Sequence, residues 1–131
     1  MNYRNLIDKG SSILKNNSIL TANIDAELLL SISLNKTREN ILLNLEKKPN
    51  TQEIRNYIKL INRRKKKEPV SLISGKRFFW KNEFIVNNHV LSPRFETELL
   101  VEEVLKKFNR TKNINILDIG LGSGCILISI L

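Results

Sequence analysis

Residues 115–125 read Asn115-Ile116-Leu117-Asp118-Ile119-Gly120-Leu121-Gly122-Ser123-Gly124-Cys125, an apolar run that closes on an acid and enters a glycine-rich turn. The pattern predicts the first strand and loop of a nucleotide-type binding site. Glycines at 120, 122 and 124 let the backbone bend tightly and approach a ligand closely, because no Cβ intervenes. Residues 125–131, Cys-Ile-Leu-Ile-Ser-Ile-Leu, would then open a helix whose first amides face that ligand. The loop lies so near residue 131 that most of the domain needed to use such a ligand is expected to be missing from these residues, a truncated start.

The composition narrows the class. An apolar share of 41% is enough for a core, and a charged share of 27% with a net charge of +9 suits a protein that approaches an acidic partner. A plainer reading stands beside it. Five of the 22 basic residues sit in one run, Arg63-Arg64-Lys65-Lys66-Lys67, and the rest are scattered. That run closes a predicted helix, where cations offset the dipole and the end carbonyls. Cys125 is the single cysteine, so no internal disulfide forms. No signal peptide is recognisable, and no window reaches the roughly 18 apolar residues of a membrane helix. A cytoplasmic protein without membrane contact, monomeric, is expected.

Hydrophobic periodicity organises the N-terminal half. Tyr3, Leu6, Ile7, Ile13 and Leu14 form one helical stripe over residues 2–17, with Gly10 in the same row. A second helix is expected to start at Asn23 as its cap and to be apolar nearly all round, the buried centre of a bundle. Thr37 would cap a short third helix containing Ile41, Leu42 and Leu45. Thr51 would cap a fourth to about Lys67, with Ile54, Tyr57, Ile58, Leu60 and Ile61 inward. After Pro69 the period changes. Residues 70–75 read as extended, and Phe78-Phe79-Trp80 and Phe84-Ile85-Val86 flank Lys81-Asn82-Glu83 as a hairpin. Alternation puts 78 and 80 on one face and 79 on the other, either as a recognition surface or as packing. A loop at residues 91–94 leads into a helix from about Glu96 to Phe108, with Leu100, Val101, Val104, Leu105 and Phe108 inward. Asn109 to Asn113 is polar, and Ile114 begins the strand quoted first. The fold class expected is an α-helical N-terminal bundle over 1–68, a β-hairpin over 69–90, and over 91–131 the start of an α/β Rossmann-like domain.

Two phosphate-binding fingerprints fail. A dinucleotide G-x-G-x-x-G would need glycine where Cys125 stands, and a P-loop would need a Gly-Lys-Ser or Gly-Lys-Thr that the chain lacks. What remains, Asp118-x-Gly120-x-Gly122-Ser123-Gly124, resembles motif I of the S-adenosylmethionine-dependent methyltransferases. Upstream, residues 68–80 (Glu68-Pro69-Val70-Ser71-Leu72-Ile73-Ser74-Gly75-Lys76-Arg77-Phe78-Phe79-Trp80) and residues 90–101 (Val90-Leu91-Ser92-Pro93-Arg94-Phe95-Glu96-Thr97-Glu98-Leu99-Leu100-Val101) are similar to the release factor glutamine methyltransferases. The resemblance implies methylation of the glutamine amide in the Gly-Gly-Gln motif of peptide-chain release factors, with S-adenosylmethionine as cofactor. It also implies a helical substrate-recognition domain, a hairpin and a methyltransferase domain, in the order read here.

Transferred by position, Gly120, Leu121, Gly122, Ser123 and Gly124 would wrap the amino-acid end of the cofactor, with Asp118 orienting the loop. Arg94 and Thr97 would border the cofactor, unless Arg94 simply pairs with Glu96 or Glu98. Two departures stand out. Phe95 replaces the proline of the family's Pro-Arg-Pro-Glu-Thr-Glu, removing a helix-start residue. The family's Asn-Pro-Pro-Tyr, which grips the substrate amide, does not occur in the 131 residues, nor does the acid that binds the ribose. No catalytic residue and no metal ligand is therefore assigned. His89 reads as solvated and Cys125 as a small packing residue. The rival expectation, from another class, is a non-catalytic helical module binding a release factor or nucleic acid. Under the enzyme reading, nucleic acid is met only through the release factor's complex.

Overall fold

Helix α1 (Tyr3–Lys15) starts where Asn2 accepts the Asn5 N–H at 2.9 Å, and its apolar row packs Tyr3, Leu6, Ile7 and Leu14 inward. The computed structural model describes residues 1–108 and 114–131. The polar stretch Asn109–Asn113 lies outside the described residues. Helix α2 (Ala22–Leu34) is the bundle centre, burying Ala22, Ala26, Leu29, Leu30 and Leu34. It starts earlier than its sequence suggests. Thr21 is the residue before its first turn, and the expected cap, Asn23, instead accepts the Ser11 hydroxyl of α1. Its C-terminus closes on Asn35 at φ +50°, a left-handed cap that asparagine tolerates.

Thr37 caps α3 (Arg38–Leu42) as expected, accepting the Asn40 N–H, but this helix ends before Leu45. The segment after it is tied down by backbone bonds: Tyr3 donates to the Lys47 carbonyl at 2.9 Å and Arg4 to Leu45 at 3.1 Å. Helix α4 (Thr51–Lys65) is capped by Asn50 rather than Thr51. Asn50 accepts the Glu53 N–H at 2.8 Å, and the Glu53 carboxylate accepts the Asn50 N–H at 2.6 Å, a reciprocal capping box. Asn50→Ala is expected to cost about 1 kcal/mol, read as a lower urea midpoint of the helical transition. Tyr57 and Ile61 of α4 are buried and Ile54 and Leu60 half-buried, but Ile58 faces solvent.

Residues 70–74 are not extended. They form a helical turn, α5 (Val70–Ser74), begun by Leu72 and Ile73 N–H groups that both donate to the Pro69 carbonyl at 3.0 Å. Helical geometry puts Ile73 and Val70 on the apolar cluster of α1–α4. That burial outweighs the strand preference of a five-residue run, whose periodicity alone cannot separate the two.

The described chain divides into two units, residues 1–74 and 75–131. The second holds the single sheet among the described residues, an antiparallel pair of β1 (Lys76–Phe79) and β2 (Asn82–Ile85) with Phe79 opposite Asn82 and Lys76 opposite Ile85. The turn is therefore Trp80-Lys81, and Asn82 and Glu83 belong to the second strand. Trp80 takes φ +54°, the left-handed region that an L side chain rarely adopts. Phe79 is buried and meets Phe84 edge-on at 6.2 Å, while Phe78 is 65% exposed. Trp80 does not share the exposed face of Phe78: in the turn, it packs against the Phe79 cluster. Past a 3-10 turn (Phe95–Thr97), α6 (Glu98–Phe108) adds Val101 and Leu105 to this core, and α7 (Cys125–Ile130) adds Cys125, Ile126 and Ile130. Leu100, expected inward, is half exposed.

The run Ile114–Asp118 forms no strand ladder among the described residues. Leu117 and Ile119 are 83% and 87% exposed. A strand exists only through its neighbours, and this sequence of β-formers has none beside it among the described residues.

Candidate functional site

Each glycine of residues 118–124 sits where only glycine is comfortable. Gly120, Gly122 and Gly124 have φ of +85°, +57° and +75°. A Cβ at Gly120 would meet nothing within 4 Å, so the loop is open on that side, whereas one at Gly124 would press on Ile128 Cδ1 at 3.2 Å. The Gly124 N–H donates to the Leu121 carbonyl at 2.8 Å, closing a tight turn over Leu121, Gly122 and Ser123. Gly124 then serves as the residue before α7, and the Ile128 N–H donates back to its carbonyl at 2.9 Å.

Asp118 precedes this loop. Its Oδ2 is buried and accepts from no donor among the described residues. A buried carboxylate oxygen without a donor is costly, and such groups call for a partner. A left-handed glycine loop beside an acceptor oxygen that meets no donor among the described residues could hold a cationic group of a ligand.

Arg94 and Thr97 stand on a different loop of the same unit. Arg94 is exposed, and its carbonyl accepts the Thr97 N–H at 3.1 Å across the 3-10 turn. It forms no ion pair with Glu96 or Glu98 among the described residues, so the plain surface pairing does not occur. No hydrogen bond or ion pair among those residues joins Arg94 or Thr97 to 118–124. Phe95, in the place of the expected proline, is 70% exposed and opens the 3-10 turn.

Glu98 has a role that its sequence did not show. Its Oε1 accepts the Trp80 N–H at 3.0 Å, and Arg77 Nε donates to the Pro93 carbonyl at 3.2 Å. These two bonds tie the strained hairpin turn to the loop that carries Arg94 and Thr97. The recognisable signal was an acid opening a helix just after a proline loop, but its partner is 18 residues away.

His89 is exposed, with its N–H donating to Asn87 Oδ1. Cys125 is a buried free thiol in the Phe79 cluster. A cleft of about 590 Å³ lies between α6, α7 and residues 114–117, lined by Val104, Leu105, Phe108, Ile116 and Ile130, but it lacks the convergent polar groups of a site. No metal-binding cluster occurs among the described residues, and no helix there is long and apolar enough to cross a membrane. The basic run divides. Arg63 pairs with Glu68, whose carboxyl it holds below its usual range, and Arg64 reaches the buried Asp25 at 2.7 Å.

Residues 5–75 match the PrmC N-terminal domain. A release factor glutamine methyltransferase of Caulobacter vibrioides is 40% identical, over 90% of this chain and 41% of its own length. One of Leptospira interrogans is also 40% identical, over 95% of this chain and 44% of its own length. A bifunctional methyltransferase of Rickettsia bellii is 36% identical, over 95% of this chain and 27% of its own length. The chain thus spans less than half the length of these curated relatives.

Proposed function

This chain belongs to the PrmC N-terminal domain family, and from that premise we propose that it supplies the substrate-recognition domain and cofactor loop of a protein-glutamine methyltransferase. The substrate class is the peptide-chain release factor, methylated on the glutamine amide of Gly-Gly-Gln, and the setting is translation in the cytoplasm. Relatives named release factor glutamine methyltransferases support the substrate class. The observation that carries the cofactor assignment is the left-handed glycine loop beside the Asp118 oxygen, which meets no donor among the described residues.

In this reading S-adenosylmethionine supplies the methyl group. Gly120 to Gly124 hold its amino-acid end through backbone groups, Asp118 fixes the loop's orientation, and Arg94 and Thr97 border it. The residues 91–131 then begin a Rossmann-like domain in which Ile114–Ile119 is a strand. Catalysis would rest on positioning the amide nitrogen against the methyl carbon, where a misplacement of about 1 Å can cost on the order of a hundredfold. The 131 residues contain no Asn-Pro-Pro-Tyr to hold that amide.

Two measurements test the proposal. The 131-residue polypeptide, incubated with cofactor and release factor, is expected to add no methyl mass to the Gly-Gly-Gln peptide. A chimera that carries residues 1–131 ahead of the remainder of the Caulobacter vibrioides relative is expected to add one, and Gly122→Val in that chimera to remove about a hundredfold of the rate. A folded chimera without transfer, or methylation by the 131 residues alone, would refute this assignment of roles. Release-factor binding without methylation in the chimera would favour the non-catalytic module.

A further inference from the structure

We propose that the stripe formed by Arg55 and Lys59 of α4 and by Lys66, the residue that caps its C-terminus, docks the phosphate backbone of structured RNA. Positive charge is concentrated in the helical unit: residues 1–74 carry 14 Lys and Arg against 7 Asp and Glu, and residues 75–131 carry 8 against 6. Within that unit, residues 51–67 hold seven cations and one acid. The sequence draws the eye to Arg63–Lys67, but the structure redistributes these charges. Arg63 is neutralised by Glu68 and Arg64 by Asp25. Arg55, Lys59, Lys65, Lys66 and Lys67 are exposed and form no ion pair among the described residues.

Helical spacing aligns three of these five cations. Positions 55, 59 and 66 fall within a narrow wedge of the helix surface, opposite Tyr57 and Ile61, and span about 16 Å along the axis. Gln52 and Asn62 fill the same stripe, and the half-exposed Ile58 stands on its flank rather than within it. A protein partner would be expected to bury aromatic or aliphatic anchors at the centre of its contact, and the stripe offers none. Lysine ammonium groups act as point charges that meet phosphates without a fixed geometry. With no aromatic side chain for stacking bases, the stripe suits a duplex backbone better than a single strand. The choice of RNA over DNA rests on the methyltransferase reading, which places the chain beside release factors. The assay involves no methyl transfer, so either idea can fail without the other.

The test is fluorescence anisotropy of the 131-residue chain with a labelled RNA duplex of about 20 base pairs, at about 50 and about 200 mM salt. Arg55→Gln/Lys59→Gln/Lys66→Gln keeps good helix formers on an exposed face, and circular dichroism verifies its fold. This variant is expected to bind about tenfold more weakly at the lower salt and to reduce the slope of log K against log salt by about 2 to 3. A control of equal charge change, Lys15→Gln/Lys81→Gln/Lys107→Gln, is expected to lose less than about threefold. Equal losses in the two variants would overturn the proposal, as would no binding at low salt. A polyglutamate peptide displacing the RNA at equal charge concentration would reassign the stripe to an acidic protein. Tighter binding to a DNA duplex of the same length would overturn the assignment to RNA.

Discussion

Gly10→Ala is expected to lower the stability of the helical unit by about 3 kcal/mol, although alanine is the better helix former. A Cβ at Gly10 would overlap the Tyr57 hydroxyl and stand 2.9 Å from its Cζ and 3.0 Å from Ile61 Cδ1. Tyr57 cannot swing aside cheaply. It is 2% exposed, and its hydroxyl donates to the Leu6 carbonyl at 3.1 Å, the contact that locks α4 onto α1. Burial also pushes the phenol well above its usual pKa, so the group remains a neutral donor. Overpacking costs roughly 1–3 kcal/mol, a buried hydroxyl deprived of its acceptor costs about as much again, and the gain in helix propensity returns less than about 1 kcal/mol. For a unit of this size the melting midpoint should fall on the order of 15 °C, followed by circular dichroism. Adding Tyr57→Phe removes the overlapping oxygen and is expected to recover part of the loss, a direct sign of coupling. If Gly10→Ala melts within about 3 °C of the parent, α1 and α4 do not approach as closely as this packing requires.

Gly10 illustrates what the sequence could disclose. Its place in the apolar row of α1 was readable from spacing, and so was the burial of Tyr57 and Ile61 on α4. The reason for the glycine was not, because Tyr57 lies 47 residues away in the chain. The cap of α4 was not legible from residue type alone: Asn50 and Thr51 are both cap-forming residues, the spacing pointed to Thr51, and only the reciprocal bond to Glu53, three residues after Asn50, decides for Asn50. Residues 70–74 were misread because burial of Ile73, a tertiary effect, sets the conformation of so short a segment. The Trp80 turn carries no turn residue, and its left-handed φ is held by Glu98 from another element. In the candidate site the glycine spacing was visible, since it is local backbone chemistry, and the three positive φ values agree with it. Among the described residues, the lack of a donor to the Asp118 oxygen and of a ladder for Ile114–Asp118 depend on what surrounds them in space and have no counterpart in the pattern.

Arg64→Ala is expected to be the most damaging change within the basic run, costing about 3 kcal/mol, while Lys65, Lys66 and Lys67 substitutions stay within about 0.5 kcal/mol. Asp25 has an 8% exposed side chain on α2, and its Oδ2 accepts from Arg64 Nε at 2.7 Å and from the Thr21 hydroxyl at 2.8 Å. Arg64 also donates to the Glu68 carbonyl at 3.2 Å, so one guanidinium joins α2, the end of α4 and the residue before Pro69. Removing it leaves a buried carboxylate with a single hydroxyl donor, and this uncompensated charge, rather than the lost attraction, accounts for most of the cost. Arg64 is itself 16% exposed, which lets water reach the vacated site and keeps the figure at the lower end of the range for buried pairs. Two further variants separate the causes. Arg64→Lys keeps a charge but cannot serve Asp25 and the Glu68 carbonyl in one planar fork, so it should fall between parent and alanine. Asp25→Leu with Arg64→Met removes both charges and should be nearer the parent than Arg64→Ala alone, as buried pairs replaced by apolar groups commonly are. Urea unfolding of the four proteins ranks these effects directly. If Arg64→Ala lies within about 0.5 kcal/mol of the parent, Asp25 is not the reason an arginine stands at this point of the run.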